Sequence, residues 1–149
     1  MRAVVQRVSS AGVEIEGERV GEIGPGLLVY LGVGRDDTAS DIAYMVNKIQ
    51  HLRVFNDAEG KMNLNVEQAG GSCLVVSAFT TQGDARKGHR PAYSAAAEPE
   101  MAEQMYDQFC EQLRATGLTV ATGRFRATMA VDSVNDGPIC VLIDSHKTF

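Results

Sequence analysis

Tryptophan is absent, and aromatic residues make up only 6% of the chain, which excludes a binding surface built from many stacking platforms. Cysteine is scarce as well, with three residues at 73, 110 and 140. An odd count at wide spacing fits neither a disulfide framework nor a CxxC metal or redox site, so the three read as reduced thiols. The three histidines, His51, His89 and His146, are too scattered for HExxH or a histidine cluster, and GxSxG, P-loop and GxGxxG patterns are missing. No metal and no cofactor are expected. No apolar run approaches the roughly 18 residues of a membrane span, and MRAVVQRV lacks the apolar core of a signal peptide. The reading is cytoplasmic, with no membrane partner. Basic charge is the minority, 14 Lys and Arg against 19 Asp and Glu for a net charge of −5. That excludes a generally basic nucleic-acid coat, although a local patch can still grip a phosphate backbone.

What is present describes one ordinary domain, 1–149. Hydrophobic residues are 44% and charged residues 22% of 149, near the soluble globular average, and one core suffices at this length. Residues 2–8 and 13–16 show partial β alternation, and Gly17-Glu18 sits where a tight turn joins the latter to 19–23. After the Gly24-Pro25-Gly26 breaker, residues 27–33 (LLVYLGV) are a continuous apolar run suited to a buried strand. From Asp37, a helix-cap residue type, apolar residues recur at Ile42, Met45, Val46 and Ile49 and predict an amphipathic helix. Residues 52–55 and 62–66 are short strand candidates around a turn cluster, and 73–77 is a second buried strand. A second helix starts at Pro99, buries Ala102, Met105, Phe109 and Leu113, and ends at Gly117. Residues 119–122, 127–133 and 139–144 complete the strands. Hairpins plus two helices, without regular βαβ alternation, indicate an α+β fold whose mostly antiparallel sheets curl into a barrel-like body.

Three segments attract functional readings, each beside a plainer one. Residues 82–97 form a connection longer than usual, and Arg86, Lys87 and Arg90 crowd into it. They are either a solvated loop or a phosphate contact. Ser77-Ala78-Phe79-Thr80 closes a buried strand, where hydroxyls either line a pocket floor or bond to their own backbone. Gly137-Pro138 is either a strand-entry turn or, if cis, a sterically fixed element holding two carbonyls in one direction. Cys140 lies in an apolar run and reads as a small hydrophobe rather than a nucleophile, as do Cys73 and Cys110.

These fragments in this order, MRAVVQRVSSAGVEIEGE, VGEIGPGLLVYLGV, KMNLNV, LVVSAFT, DARKGHRPAYSAAAEPE and VNDGPICVLIDS, resemble the D-aminoacyl-tRNA deacylases of the D-Tyr-tRNA deacylase family along nearly the whole chain. The family signatures are SQFT and NxGPVT. Here the first reads Ser77-Ala78-Phe79-Thr80 and the second Asn135-Asp136-Gly137-Pro138-Ile139-Cys140, so Ala78 replaces a glutamine and Cys140 a threonine.

The resemblance implies hydrolysis of the ester joining a D-amino acid to the terminal adenosine of tRNA, with glycine mischarged on tRNA-Ala as a possible second acyl group. It further implies a homodimer in which a cis Gly137-Pro138 bond projects into the other subunit's pocket and excludes L side chains. Ser77, Phe79 and Thr80 are then the catalytic set, with backbone N–H groups near Phe79 and Thr80 facing the oxyanion. Ala78, Met129, Asn135, Gly137 and Pro138 contact substrate, while Arg86, Lys87 and Arg90 contact tRNA, and neither metal nor DNA takes part. Without a base beside Thr80, assistance from the substrate's own 2′-OH is favoured over a nucleophilic threonine. A rigid main-chain wall costs no side-chain entropy, and a thousandfold discrimination needs about 4 kcal/mol. The alternatives are a catalytically silent tRNA-binding relative, owing to Ala78 and Cys140, and a dimeric structural protein that keeps only the fold.

Overall fold

The computed structural model describes residues Met1–Phe149. Strand β1 (Arg2–Ile15) turns back through Glu16 and Gly17, both at positive φ, into β2 (Glu18–Ile23), and β3 (Gly26–Gly32) follows. Consecutive left-handed residues match the twist a two-residue hairpin needs. Where the alternation pattern suggests two separate strands, β1 is continuous. Register shifts between Gln6 and Val8 and between Val8 and Ser10 absorb the break in its pairing with β8 (Ala130–Asp144).

Between these elements the chain crosses over twice. Helix α1 (Ala39–His51), a small hairpin of β4 (Phe55–Asn56) and β5 (Met62–Leu64), and then β6 (Ser72–Ser77) follow β3; helix α2 (Pro99–Ala115) separates β6 from β7 (Val120–Thr122). Strand β1 is antiparallel to β2, β3 and β8, whereas β3–β6 and β6–β7 are parallel. The expected α+β body is therefore present, but with a mixed sheet. Parallel neighbours require a long return path, and the two helical crossovers provide it. Strand β7 lies against β2, where a Cβ at Gly21 would stand 2.5 Å from the Thr122 carbonyl oxygen. The sheet is thus nearly closed into a barrel.

The continuous apolar runs in β3 and β6 follow from burial on both faces. Leu27, Val29, Leu31, Cys73 and Val75 face the helices and join Ile42, Met45, Ile49, Phe109 and Leu113 in the larger core. Leu28, Leu74 and Val76 point into the barrel with Val8, Val13 and Ile23. Tyr106 donates its hydroxyl to the Val75 carbonyl at 2.8 Å, satisfying the one polar end that α2 buries there.

Asp37 does not cap α1. The N-cap is Thr38, whose N–H donates to the Asp41 carboxylate at 2.8 Å. Asp37 is buried one residue earlier, accepting from the Met1 ammonium at 2.6 Å and from the Gly34 N–H at 2.5 Å. Short-range pattern reading cannot see a partner 36 residues away.

Strand β8 also merges two expected strands, running from Ala130 through Pro138 to Asp144. It pairs with β1 only, and its outer side is open. Val134 and Leu142 are each 59% exposed, and Cys140, read as a small hydrophobe of an apolar strand, is exposed too. Alternate residues of the apolar run, Cys140 and Leu142, face solvent because nothing in this chain covers them, while Ile139, Val141 and Ile143 pack against the core.

Candidate active site

The end of β6 is shaped by backbone bonding. Ser77 stands opposite Leu31 in the parallel register, and the Ala78 N–H donates to the Leu31 carbonyl at 2.8 Å. The chain then tightens into a 3-10 turn, Phe79–Gln82. Gln82 is buried and donates to the Gly32 carbonyl at 3.0 Å, locking this turn over the end of β3. Glycine is required at 32, since a side chain there would collide with the Thr81 hydroxyl and the Ala78 carbonyl. As the first residues of the turn, Phe79 and Thr80 carry N–H groups that the turn itself does not consume.

Above this turn opens a cleft of about 670 Å³, lined mostly by apolar side chains. One side is Phe79, 56% exposed, which meets Tyr93 edge-on at 5.2 Å between centroids. The other is the segment after β7, with Phe125, Ala127 and Met129. Among the lining residues Tyr30, Ser77 and Thr80 carry hydroxyls, and burial raises the Tyr30 phenol above its ordinary value. The lining contains no carboxylate, imidazole, thiol or amine, so the protein places no general base in the cleft.

The Asn135–Pro138 turn is built differently. Asn135 Nδ2 donates to the Arg7 carbonyl at 2.8 Å and to the Ile139 carbonyl at 3.1 Å, stapling the bulge from both sides. Arg7 is buried; it donates to the Val54 carbonyl at 2.6 Å and the Asp136 carbonyl at 3.2 Å, and pairs with the Asp136 carboxylate at 3.2 Å. Gly137 has φ 120°, and a Cβ there would stand 2.7 Å from the Ile139 side chain and 2.9 Å from Arg7. The Gly137-Pro138 peptide bond is cis. Neither residue lines the cleft. Counting registers, the turn lies beside the Gly26–Leu27 end of β3 and Ser77 beside Leu31, a separation on the order of 15 Å.

The basic loop is closed by a bridge between Asp84 and Ala92. Arg86 folds back onto Asp84 through two bonds, at 2.9 and 2.6 Å, and its guanidinium holds that carboxyl well below the usual carboxylate range. Lys87 and Arg90 are exposed.

Residues 4–144 match the family model described as D-Tyr-tRNA(Tyr) deacylase. The chain belongs to that family. A D-aminoacyl-tRNA deacylase of Symbiobacterium thermophilum is 56% identical over 149 residues, covering 100% of this chain and 99% of that one. That of Syntrophobacter fumaroxidans is 54% identical over 149 residues, with 100% of both chains covered. A solved structure named c-Myc DNA Unwinding Element Binding Protein superposes with a TM-score of 0.92 at 41% identity, covering 97% of this chain and 98% of that one. A probable eukaryotic D-amino acid tRNA deacylase shares the fold, with a TM-score of 0.82 at 16% identity over 95% and 97% of the two chains. The activity class follows from membership and from the relatives' names: this is a hydrolase acting on the ester bond of D-aminoacyl-tRNA.

Of the residues singled out in the sequence, the fold brings Ser77, Ala78, Phe79, Thr80 and Met129 to one cleft and leaves Asn135, Gly137 and Pro138 on another edge of the same chain. Of the two departures from the family signatures, the Ala78 position lines the cleft, whereas Cys140 is outside it on β8. Sequence reading missed Tyr30, Phe125 and Arg126 in the lining, and Arg7 beneath the turn. Arg7 had a legible signal: it is in phase with Ala3 and Val5, both inward-facing, so its charge was due to be buried and paired.

Proposed function

We propose that the Ser77–Thr80 cleft binds the acylated terminal adenosine of tRNA and that a second copy of the chain supplies Gly137-Pro138 as the wall that excludes L side chains. The observation that carries this reading is the division of the site. The cleft has its floor, hydroxyls and apolar walls within one chain, while the turn is rigidly bonded yet exposed and far from it. A homodimer across the open edge of β8 reunites the two. Glycine has no side chain for the wall to reject, so glycyl-tRNA, including glycine mischarged on tRNA-Ala, is a second substrate.

In this reading water adds to the ester carbonyl carbon and passes its proton to oxygen of the substrate ribose, whose 2′-OH assists. The bond to the ribose oxygen breaks, and that oxygen leaves protonated, giving free D-amino acid and intact tRNA. The Phe79 and Thr80 N–H groups face the developing oxyanion, a contribution of several kcal/mol where such donors are preorganised. The Thr80 hydroxyl positions water beside Ser77, the Phe79 ring orients the adenosine, and Met129 and Ala78 bound the acyl group. Routing the proton through the RNA agrees with a lining that has no base. Asn135 keeps the Gly137-Pro138 carbonyls in place. Lys87 and Arg90, with Arg86 in part neutralised by Asp84, hold the tRNA backbone. The setting is chiral proofreading of charged tRNA in the cytoplasm; no helix is long and apolar enough to cross a membrane.

The test compares hydrolysis of matched D-tyrosyl-, L-tyrosyl- and glycyl-tRNA by the native chain and by Ala78→Gln. The native chain is expected to release D-tyrosine and glycine, with L-tyrosine slower by at least about a hundredfold. Ala78→Gln is expected to lower KM if an amide at 78 only positions substrate, and to raise kcat if it organises water. Saturable binding of D-tyrosyl-tRNA with no release of amino acid would instead identify a silent tRNA-binding relative. Single-stranded DNA serves as competitor, because of the name borne by the 41% identical structure; it is expected to leave the rate unchanged.

A further inference from the structure

The cleft that receives the terminal adenosine has one charged residue in its lining, Arg126. Its guanidinium is exposed, and it has no part in the ion pairs and side-chain hydrogen bonds that engage Arg2, Arg7, Arg19, Arg35, Arg53, Arg86 and Arg114. Its backbone is left-handed, at φ 63°. A non-glycine residue held there is unfavourable and recurs where a side chain has to be aimed. The tight turn is closed by the Ala127 N–H on the Arg124 carbonyl at 3.3 Å, so Phe125 is turned toward the cleft and Arg126 stands at its mouth.

An apolar cleft with a lone cation at the rim fits a ligand that is mostly uncharged and carries one anionic group at its exit. The 3′ end of an acylated RNA is such a ligand: a neutral nucleoside and acyl group, then the phosphate that joins it to the preceding nucleotide. We infer that Arg126 binds the 5′-phosphate of the terminal nucleotide, making the enzyme select the end of an RNA strand over an isolated aminoacyl nucleoside. The inference rests on the cleft assignment above. The guanidinium fork suits a phosphate's two oxygens better than a point charge does. Arg124, the next cation, lines a separate groove beyond Phe125 with Arg114, and there the carboxylates of Glu103, Asp107 and Glu111 outnumber the two cations. That groove is net acidic whereas the cleft lining carries a cation alone, so the strand leaves over Arg126 in preference to that groove.

The experiment uses 3′-O-(D-tyrosyl)adenosine with and without a 5′-phosphate, on the native protein, Arg126→Gly and Arg126→Lys. Glycine accepts the left-handed backbone, so that variant should keep the native melting temperature. In the native protein the 5′-phosphate is expected to lower KM about tenfold with little change in kcat. Arg126→Gly should bring the KM ratio of the two esters to about one, and Arg126→Lys should restore part of it. With tRNA, the slope of log KM against log salt should fall by about 0.7 in Arg126→Gly, as expected for one lost phosphate contact to a single strand. A native KM ratio near one, or an unchanged ratio in Arg126→Gly, overturns the inference. If the native protein hydrolyses neither ester, the deacylase assignment of the cleft fails instead, and calorimetry of AMP against adenosine decides the phosphate site alone. Tighter binding of AMP that Arg126→Gly abolishes supports it; equal binding of both, or inorganic phosphate binding as tightly as AMP, overturns it.

Discussion

The Ser77–Thr80 turn and the Asn135–Pro138 turn are both held by buried polar bonds, Gln82 to Gly32 in one and Arg7 to Val54 and Asp136 in the other. They differ in what lies around them. The first ends a strand buried on both faces between two helical crossovers, and a cleft is complete above it. The second sits on an open edge strand with Val134, Cys140 and Leu142 in solvent. One chain thus encloses a cleft at the first turn and leaves the second rigidly bonded but exposed, the arrangement the proposed shared site requires.

The strongest way to break this contrast is to damage each region and compare stability. Phe109→Ala removes a fully buried ring packed beneath the parallel strands and is expected to cost about 3–5 kcal/mol, lowering Tm by roughly 10 °C in a domain of this size. Leu142→Asp, on the exposed edge, should leave the melting of an isolated copy within about 0.5 kcal/mol. It should nevertheless shift sedimentation from dimer to monomer and abolish the preference for D over L substrate. A monomer that still discriminates would sink the shared site.

Smaller in stability, and sharper in function, is Arg7→Ala. It strands the buried Val54 carbonyl and frees Asp136, at an expected cost of about 1–3 kcal/mol. The cleft does not include Arg7, so hydrolysis of D-tyrosyl-tRNA should survive while the L-to-D rate ratio rises at least tenfold. Loss of both rates in equal proportion would mean that Arg7 supports the fold in general and not the wall.

Much of this was legible in the chain, and the reasons for the rest are local. Helical periodicity in 42–49 and 102–113 found the faces that pack, because those contacts repeat every turn. The apolar runs at 27–33 and 73–77 declared burial, yet not that the two strands are parallel, which depends on where the crossovers return the chain. Ser77, Phe79, Thr80 and Met129 were reached through motif resemblance, and the fold gathers them. Asp37 was misread as a cap since its partner is the ammonium at the other end of three strands. Arg126 passed unnoticed because its meaning comes from the apolar lining around it, contributed by β3, β6 and the start of α2.

The least disruptive test of the two regions is thiol chemistry. Burial pushes the Cys73 thiol from an ordinary 9.0 up to about 12 and the Cys110 thiol up to about 11, while Cys140 is exposed on the presented edge. A disulfide reagent at pH 8 should therefore modify one thiol per folded chain, quickly in monomeric Leu142→Asp and more slowly where a partner covers β8; all three should react in denaturant. The two raised values also fix a sign. An unfolded thiol loses its proton near pH 9 while the folded one keeps it, so between about pH 9 and 12 the native state binds more protons and stability falls as pH rises. Cys73→Ala and Cys110→Ala should each flatten that alkaline decline. An alkaline decline that neither Cys73→Ala nor Cys110→Ala flattens, or fast modification of either thiol in the folded chain, would mean that the half taken as buried is open.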